Sequence, residues 1–195
     1  MKTAVCIGHS RKINGRIDGG AYSPHLKMNE RTFNLKVAEE MKRLDSSIVI
    51  IDAYEGAGYS SAMRWLADKI KREECDLAIE LHFNSAHPDA KGHEWLYWHA
   101  SKRGEWLAWC FRESFSETFP EIFRRGIKAC FADSRGADFL RFTHCPALIC
   151  EPFFGSNGWD CAVIDKKGHK AVASAYVSAL AKYREHADAL NATRQ

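Results

Sequence analysis

Two histidines and two carboxylates stand in this sequence where apolar runs stop. His9 follows the run 3–7 and its closing Gly8, and His82 breaks the largely apolar stretch 77–83. Glu151 follows Ala-Leu-Ile-Cys and precedes Pro-Phe-Phe, and Glu30 opens a helical pattern directly after a polar loop. Two histidines and one carboxylate with an open fourth position form a common catalytic zinc set. Imidazole suits zinc, and a single carboxylate leaves the site net positive, which keeps bound water acidic. A second carboxylate held off the metal can take the proton from that water.

Each residue also has a plainer reading. A histidine is more often a surface or satisfied core residue than a ligand. Glu30 is also a first-turn acid that favours the helix dipole. A carboxylate at 151 is either functional or paired to a core arginine. The four residues lie tens of positions apart, and no local His-Glu-x-x-His pattern joins them.

The elements that would gather them follow from periodicity. Residues 3–7 and 48–51 are short buried strands, and 77–83, 95–98, 126–130 and 147–150 read as further strands. Residues 10–27 read as a loop. Asn29 caps a helix over 31–44, with apolar residues at 33, 35, 37, 38, 41 and 44. Ser60 or Ser61 caps a second helix to about 74. Further helices are expected over 107–119 and 168–184. Alternating strands and helices of these lengths predict a single α/β domain over 1–195. Its twisted, mostly parallel sheet carries helices on both faces. In such sheets ligands bind beyond the carboxyl ends of the strands, where all four polar residues fall.

Composition narrows the class. The chain has 195 residues with 46% apolar and 27% charged types, which excludes a long disordered chain. A formal net charge of +3 is too mild to predict nucleic-acid binding. The seven cysteines are odd in number and hold no Cys-x-x-Cys pair, which argues against a zinc ribbon and a disulfide framework. Reduced, mostly buried thiols are expected. The N-terminal apolar run is too short for a signal-peptide core, and no run approaches a membrane span. A nucleotide-binding domain would need a Gly-rich turn after the first strand, and Gly8-His-Ser-Arg is not one.

Taken together, the pieces resemble the zinc-dependent N-acetylmuramoyl-L-alanine amidases shared by phage endolysins and bacterial cell-wall enzymes. The resemblance runs from Val5 to about Asn157. Cys-Ile-Gly-His9-Ser is similar to the family's Asp-x-Gly-His-Gly opening, and Asp18-Gly-Gly-Ala-Tyr to the loop after it. Asn29-Glu30 resembles the start of the family's first helix, and Ser61-Ala-Met-Arg64 with Trp65-Leu-Ala the second. Asp76-Leu-Ala-Ile-Glu-Leu-His82-Phe-Asn84 resembles its second histidine strand. Gly92-His-Glu94, Arg125-Gly-Ile-Lys128, Phe139-Leu-Arg141 and Cys145-Pro146 through Glu151 to Asn157 are similar to its remaining blocks. Four positions depart: Cys6 replaces Asp, Ser10 replaces Gly, Asp68 replaces Asn, and Glu80 replaces Ser. Nothing in the sequence explains Glu80.

The resemblance implies that His9, Glu30 and His82 bind one Zn²⁺ and that Glu151 is the catalytic acid/base. It implies hydrolysis of the amide between N-acetylmuramic acid and L-alanine. The expected partner is peptidoglycan, with no nucleic acid, no membrane insertion and a monomeric state. A bare catalytic domain with no cell-wall-binding domain would be made in the cytoplasm without a signal peptide. It would reach the wall after release or by another route. Asn84 shares a strand face with His82 and is a candidate for orienting substrate. Arg64 is a candidate for a stem-peptide carboxylate, or a salt-bridge partner of Glu151 or Asp76. Trp95, Trp98, Trp106 and Trp109 offer a sugar platform or simple packing, with Trp106 and Trp109 able to share a helix face. His93, His99 and His144 are expected at the sheet's rim as non-ligands. Rival readings are another zinc peptidase or deacetylase on the same sheet, or a non-catalytic wall-binding protein.

Overall fold

A computed structural model describes residues 1–192 of the chain. Its elements, in chain order, are β1 (Thr3–Ile7), β2 (Lys12–Ile13), β3 (Arg16–Ile17), β4 (Tyr22–Ser23), β5 (Met28–Asn29), α1 (Glu30–Leu44) and β6 (Ile48–Ile51). They continue with α2 (Tyr59–Arg72), β7 (Leu77–Leu81), β8 (His93–Trp98), α3 (Lys102–Thr118), β9 (Arg124–Cys130), α4 (Ala137–Phe142), β10 (Ala147–Glu151) and α5 (Gly158–Ala192).

The central sheet runs β6-β1-β7-β10-β8-β9. Its first four strands are parallel, while β8 runs antiparallel to β10 and parallel to β9. The expected mostly parallel sheet is present, and its one reversal has a simple cause. A parallel return needs a crossover of about a dozen residues or more, usually a helix. The segment between β7 and β8 contains no helix, so the chain comes back at the same edge.

The β-branched and apolar runs of β1, β7 and β10 are buried on both sides, as inner parallel strands must be. Alternate residues serve two cores. Val5, Ile7, Ile79, Leu81 and Leu148 pack with α1, α3 and α5 residues such as Phe33, Phe111 and Tyr176. Ala4, Cys6, Ala78 and Ile149 face Met63 and Leu66 of α2 and Phe139 of α4. The seven cysteines are free, six of them buried.

Three expectations change. Residues 10–27 are not simply a loop but contain the short hairpin β2–β3 and the first strand of a second, β4–β5. Asn14 and Gly15, at φ 49° and 77°, make the tight turn that joins β2 to β3. The last helix begins at Gly158 rather than Gly168, because the Asn157 side chain accepts from the Asp160 N–H and caps it. Gly168 (φ 77°) is a kink inside that helix. The short α4 has no counterpart among the expected helices.

Candidate active site

The first histidine is placed by backbone geometry. Strand β1 ends at Gly8, and His9 adopts φ 55°, a left-handed conformation uncommon outside glycine. That turn swings the imidazole back over the sheet edge. Glycines make room for it. A Cβ at Gly20 would lie 2.8 Å from His9 Cγ and 2.7 Å from Glu30 Oε2. A Cβ at Gly8 would lie 2.6 Å from His82 Nδ1. Ser10 holds the start of the next loop through Asp52, which also pairs with Arg31 of α1.

Glu30 is the first residue of α1, capped by Asn29, so its side chain projects from the helix start toward the strand ends. The carboxylate is buried and held at both oxygens. Oε1 accepts from the Phe83 N–H (3.1 Å) and Oε2 from the Ala21 N–H (3.3 Å). Burial alone would raise its pKa, but the hydrogen bond and charge of His82, with His9, lower it below the usual value. His82 Nδ1 lies 2.8 Å from Glu30 Oε1, and His9 Nε2 lies 3.6 Å from Glu30 Oε2. The two imidazoles meet edge to face at 5.2 Å between ring centres.

Each imidazole also has a carboxylate on its far nitrogen. His9 Nδ1 lies 3.1 Å from Asp18 Oδ2, and His82 Nε2 lies 3.3 Å from Glu80 Oε2. Glu80 precedes His82 by two residues, so both point to one face of β7. The residues beside Glu80 in the sheet are Cys6 and Ile149, and no lysine or arginine pairs with it among the described residues. Burial would lower the pKa of His82, but Glu80 and Glu30 on its two sides raise it well above the ordinary value. Glu80, which the sequence leaves unexplained, therefore orients a ring nitrogen. Its signal is a carboxylate two positions before the histidine on one strand.

Glu151 closes β10 next to β7, where Cys150 O accepts from the His82 N–H (3.0 Å). Its Oε2 is buried and has no hydrogen-bond partner. Burial pushes its carboxyl up to about 8, with His82 opposing the rise and Glu30, Glu94 and Glu80 adding to it. Across the sheet its register partner is Glu94 on β8. Asn84 donates through Nδ2 to Glu94 Oε1 (2.9 Å). All of these residues line one cleft of about 810 Å³ at the carboxyl ends of the parallel strands.

Other candidates lie elsewhere. Arg64 stacks on the Phe142 ring (4.1 Å) and pairs with neither Glu151 nor Asp76 among the described residues. His93 is not at the rim. It is the buried first residue of β8, accepting from the Trp95 indole (2.8 Å) and touching Ser116. Burial is the main reason its pKa falls to about 4. His99 stacks on Phe131, and His144 is exposed. Trp95 is core, packed on Phe111 and Phe115, and Trp106 stacks on Trp109 at 4.5 Å.

The donor set fits one divalent ion. One ligand atom each from His9, Glu30 and His82 can be chosen so that all lie within 4.8 Å of one another. Three protein ligands with two nitrogens and one oxygen leave the open position that a hydrolytic metal needs. The far nitrogens, already matched by Asp18 and Glu80, give the carboxylate–histidine support that metal-bound imidazoles usually have.

Comparison with known proteins places the chain in a family and a fold. A family model described as N-acetylmuramoyl-L-alanine amidase matches residues 4–182. No curated protein sequence matches. Among solved structures, the CwlD amidase from Clostridioides difficile, in complex with the GerS lipoprotein, is 18% identical with a TM-score of 0.77, covering 95% of this chain and 99% of that one. The catalytic domain of CwlV from Bacillus (Paenibacillus) polymyxa is 20% identical, with a TM-score of 0.75 and coverage of 95% and 99%. The catalytic domain of the CD27L endolysin targeting Clostridia difficile is 23% identical, with a TM-score of 0.75 and coverage of 93% and 97%. At these identities the structures share the fold.

Proposed function

The chain belongs to the N-acetylmuramoyl-L-alanine amidase family, and on that premise we propose that His9, Glu30 and His82 hold one Zn²⁺ while Glu151 is the acid/base. The substrate is peptidoglycan and the bond is the amide between N-acetylmuramic acid and L-alanine. When bound, zinc supplies Lewis-acid polarisation of the scissile carbonyl and makes water nucleophilic near neutral pH.

The protein supplies the rest. Glu30, fixed by two backbone N–H groups, keeps its position as substrate arrives. Asp18 and Glu80 each accept the far-side proton of a histidine, which leaves His9 Nε2 and His82 Nδ1 free to ligate. Glu151 Oε2 takes the proton of the attacking water and delivers it to the departing alanine nitrogen. The observation that carries this role is that Oε2 is buried at the cleft with no partner of its own. Asn84, tied to Glu94, presents the cleft wall. The protein acts as a monomer in this reading.

The deciding experiment is digestion of purified peptidoglycan by the wild type, by Glu151→Gln and after chelation, read by mass spectrometry. Stem peptides with a free alanine N-terminus, absent in both controls, support the assignment. Cleavage inside the stem would overturn it in favour of a peptidase.

A further inference from the structure

A second groove opens beside the cleft at the same edge of the sheet. It measures about 460 Å³ and is lined by Lys91, Pro120, Ile122, Phe123, Arg124 and Trp159, with Glu121 at its rim. Two of its aromatic side chains face solvent. Trp159 is 62% exposed and Phe123 59%, while most of the chain's aromatics are buried in the core. Trp159 is held in place. The Trp159 indole donates to Glu121 O (3.4 Å), and neighbouring Asp160 accepts from the backbone N–H groups of Gly92 (2.7 Å) and Phe154 (3.0 Å).

The groove's cations are free. Neither Lys91 nor Arg124 pairs with a carboxylate among the described residues, whereas the adjacent Arg125 and Lys167 are taken by Glu94 and Glu121. The groove lies at the same end of the sheet as the cleft, where β8 and β9 begin: Arg124 is the register partner of His93, the residue before Glu94, which faces Glu151. Arg125 links the two, donating to Lys91 O of the groove (3.5 Å) and to Glu94 Oε2 of the cleft (2.6 Å).

We propose that this groove binds the glycan strand of peptidoglycan as it leaves the catalytic cleft. The proposal rests on the amidase reading and adds a subsite to it. Sugar rings carry an apolar C–H face that lies flat on exposed aromatics, and Trp159 and Phe123 offer two such surfaces in one groove. The uncut stem peptides along the strand carry carboxylates, which match Lys91 and Arg124. The polymer is longer than one muramyl peptide, and this groove, at the same end of the sheet, combines aromatic faces with unpaired cations.

The test uses the full chain, Trp159→Ala and, separately, Lys91→Glu with Arg124→Glu. Each is measured on insoluble peptidoglycan and on a single soluble muramyl peptide. Sedimentation with peptidoglycan measures binding in a Glu151→Gln background, independently of turnover. For Trp159→Ala, we expect KM on the polymer to rise ~3- to 10-fold and sedimentation to weaken, with kcat and the small-substrate rate unchanged. The charge reversal should also flatten the salt dependence of sedimentation. Equal loss on both substrates, or no loss of polymer binding, overturns the subsite. So does a variant that loses adsorption to anionic lipid vesicles while keeping peptidoglycan. If the wild type releases no alanine-terminated peptide from either substrate, the amidase reading fails instead, and sedimentation still decides the groove.

Discussion

Glu94 and Glu151 face each other across β8 and β10, yet their surroundings are opposite. Glu94 receives Asn84, Arg125 and Lys128, so although burial would raise its pKa, these partners lower it. Glu151 receives no side-chain cation except nearby His82, its Oε2 is unpartnered, and burial drives its carboxyl up to about 8. The cause is strand order. β8 is flanked by the edge strand β9, whose exposed face carries Arg125 and Lys128. β10 is flanked by β7, which offers Leu81 and His82. The same residue type is a structural tie on one strand and, in the proposed function, the proton carrier on the next. What separates them is whether a permanent cation is within reach.

The largest expected effects test the reactive side of this pair. Glu151→Gln should reduce turnover by ~10²- to 10⁴-fold, the usual contribution of a positioned acid/base, while bound metal measured by elemental analysis stays at the wild-type level. His82→Ala should lose metal and turnover together. Retained activity in Glu151→Gln would move the acid/base role to another carboxylate in the cleft.

Next in size is the support behind the ligands. Glu80→Ala should weaken metal affinity by ~10- to 100-fold in a chelator competition, as loss of a carboxylate behind a ligating histidine generally does. Glu80→Gln, which keeps an acceptor for the His82 Nε2 proton, should lose less. Unchanged affinity in both would reduce Glu80 to a buried charge with no role at the site.

The raised carboxyl of Glu151 also makes a stability prediction. Between about pH 4.5 and 8 the folded protein keeps a proton at Glu151 that the unfolded chain has released. Stability therefore falls as pH rises through that window, and the burial penalty is fully expressed above it. Glu151→Gln carries no titrating group there. In chelated protein, the variant's Tm advantage should be near zero at pH 4 and grow to a plateau above pH 8. Each kcal/mol of the penalty corresponds to ~2–4 °C for a chain of this size. A pH-independent difference would mean that Glu151 titrates normally and that burial is not what distinguishes it from Glu94.

Much of this is legible in the amino-acid sequence. The apolar runs that end at His9, His82 and Glu151 are strand ends, and strand ends in a parallel sheet converge. The family resemblance implies one ligand glutamate and one acid/base glutamate, a distinction that spacing cannot make. Three things stay hidden for physical reasons. Asn14-Gly15 is a hairpin signal, but the flanking strands are only two residues long, so no alternation marks them. His93 looks polar in sequence, and only the three-dimensional placement of Trp95 and Ser116 shows that its nitrogens are satisfied inside the core. Arg64 looks free to bind an anion, but Phe142, distant in sequence, takes its guanidinium face.

The smallest expected effect comes from the tied member of the pair. Glu94→Gln removes a charge while keeping an acceptor for Asn84. Arg125 and Lys128 keep a third or more of their side chains exposed, so both can return to water. The expected loss is ~1 kcal/mol in a urea titration. The substitution also reaches Glu151. A negative neighbour that raises its pKa disappears, and two cations opposite it become uncompensated. Both changes favour the ionised base, so the acid limb of the turnover profile should move to lower pH with the maximum rate retained. A collapse of turnover as deep as that of Glu151→Gln would show that Glu94 touches the reaction itself. A division of labour between the two carboxylates could not then stand.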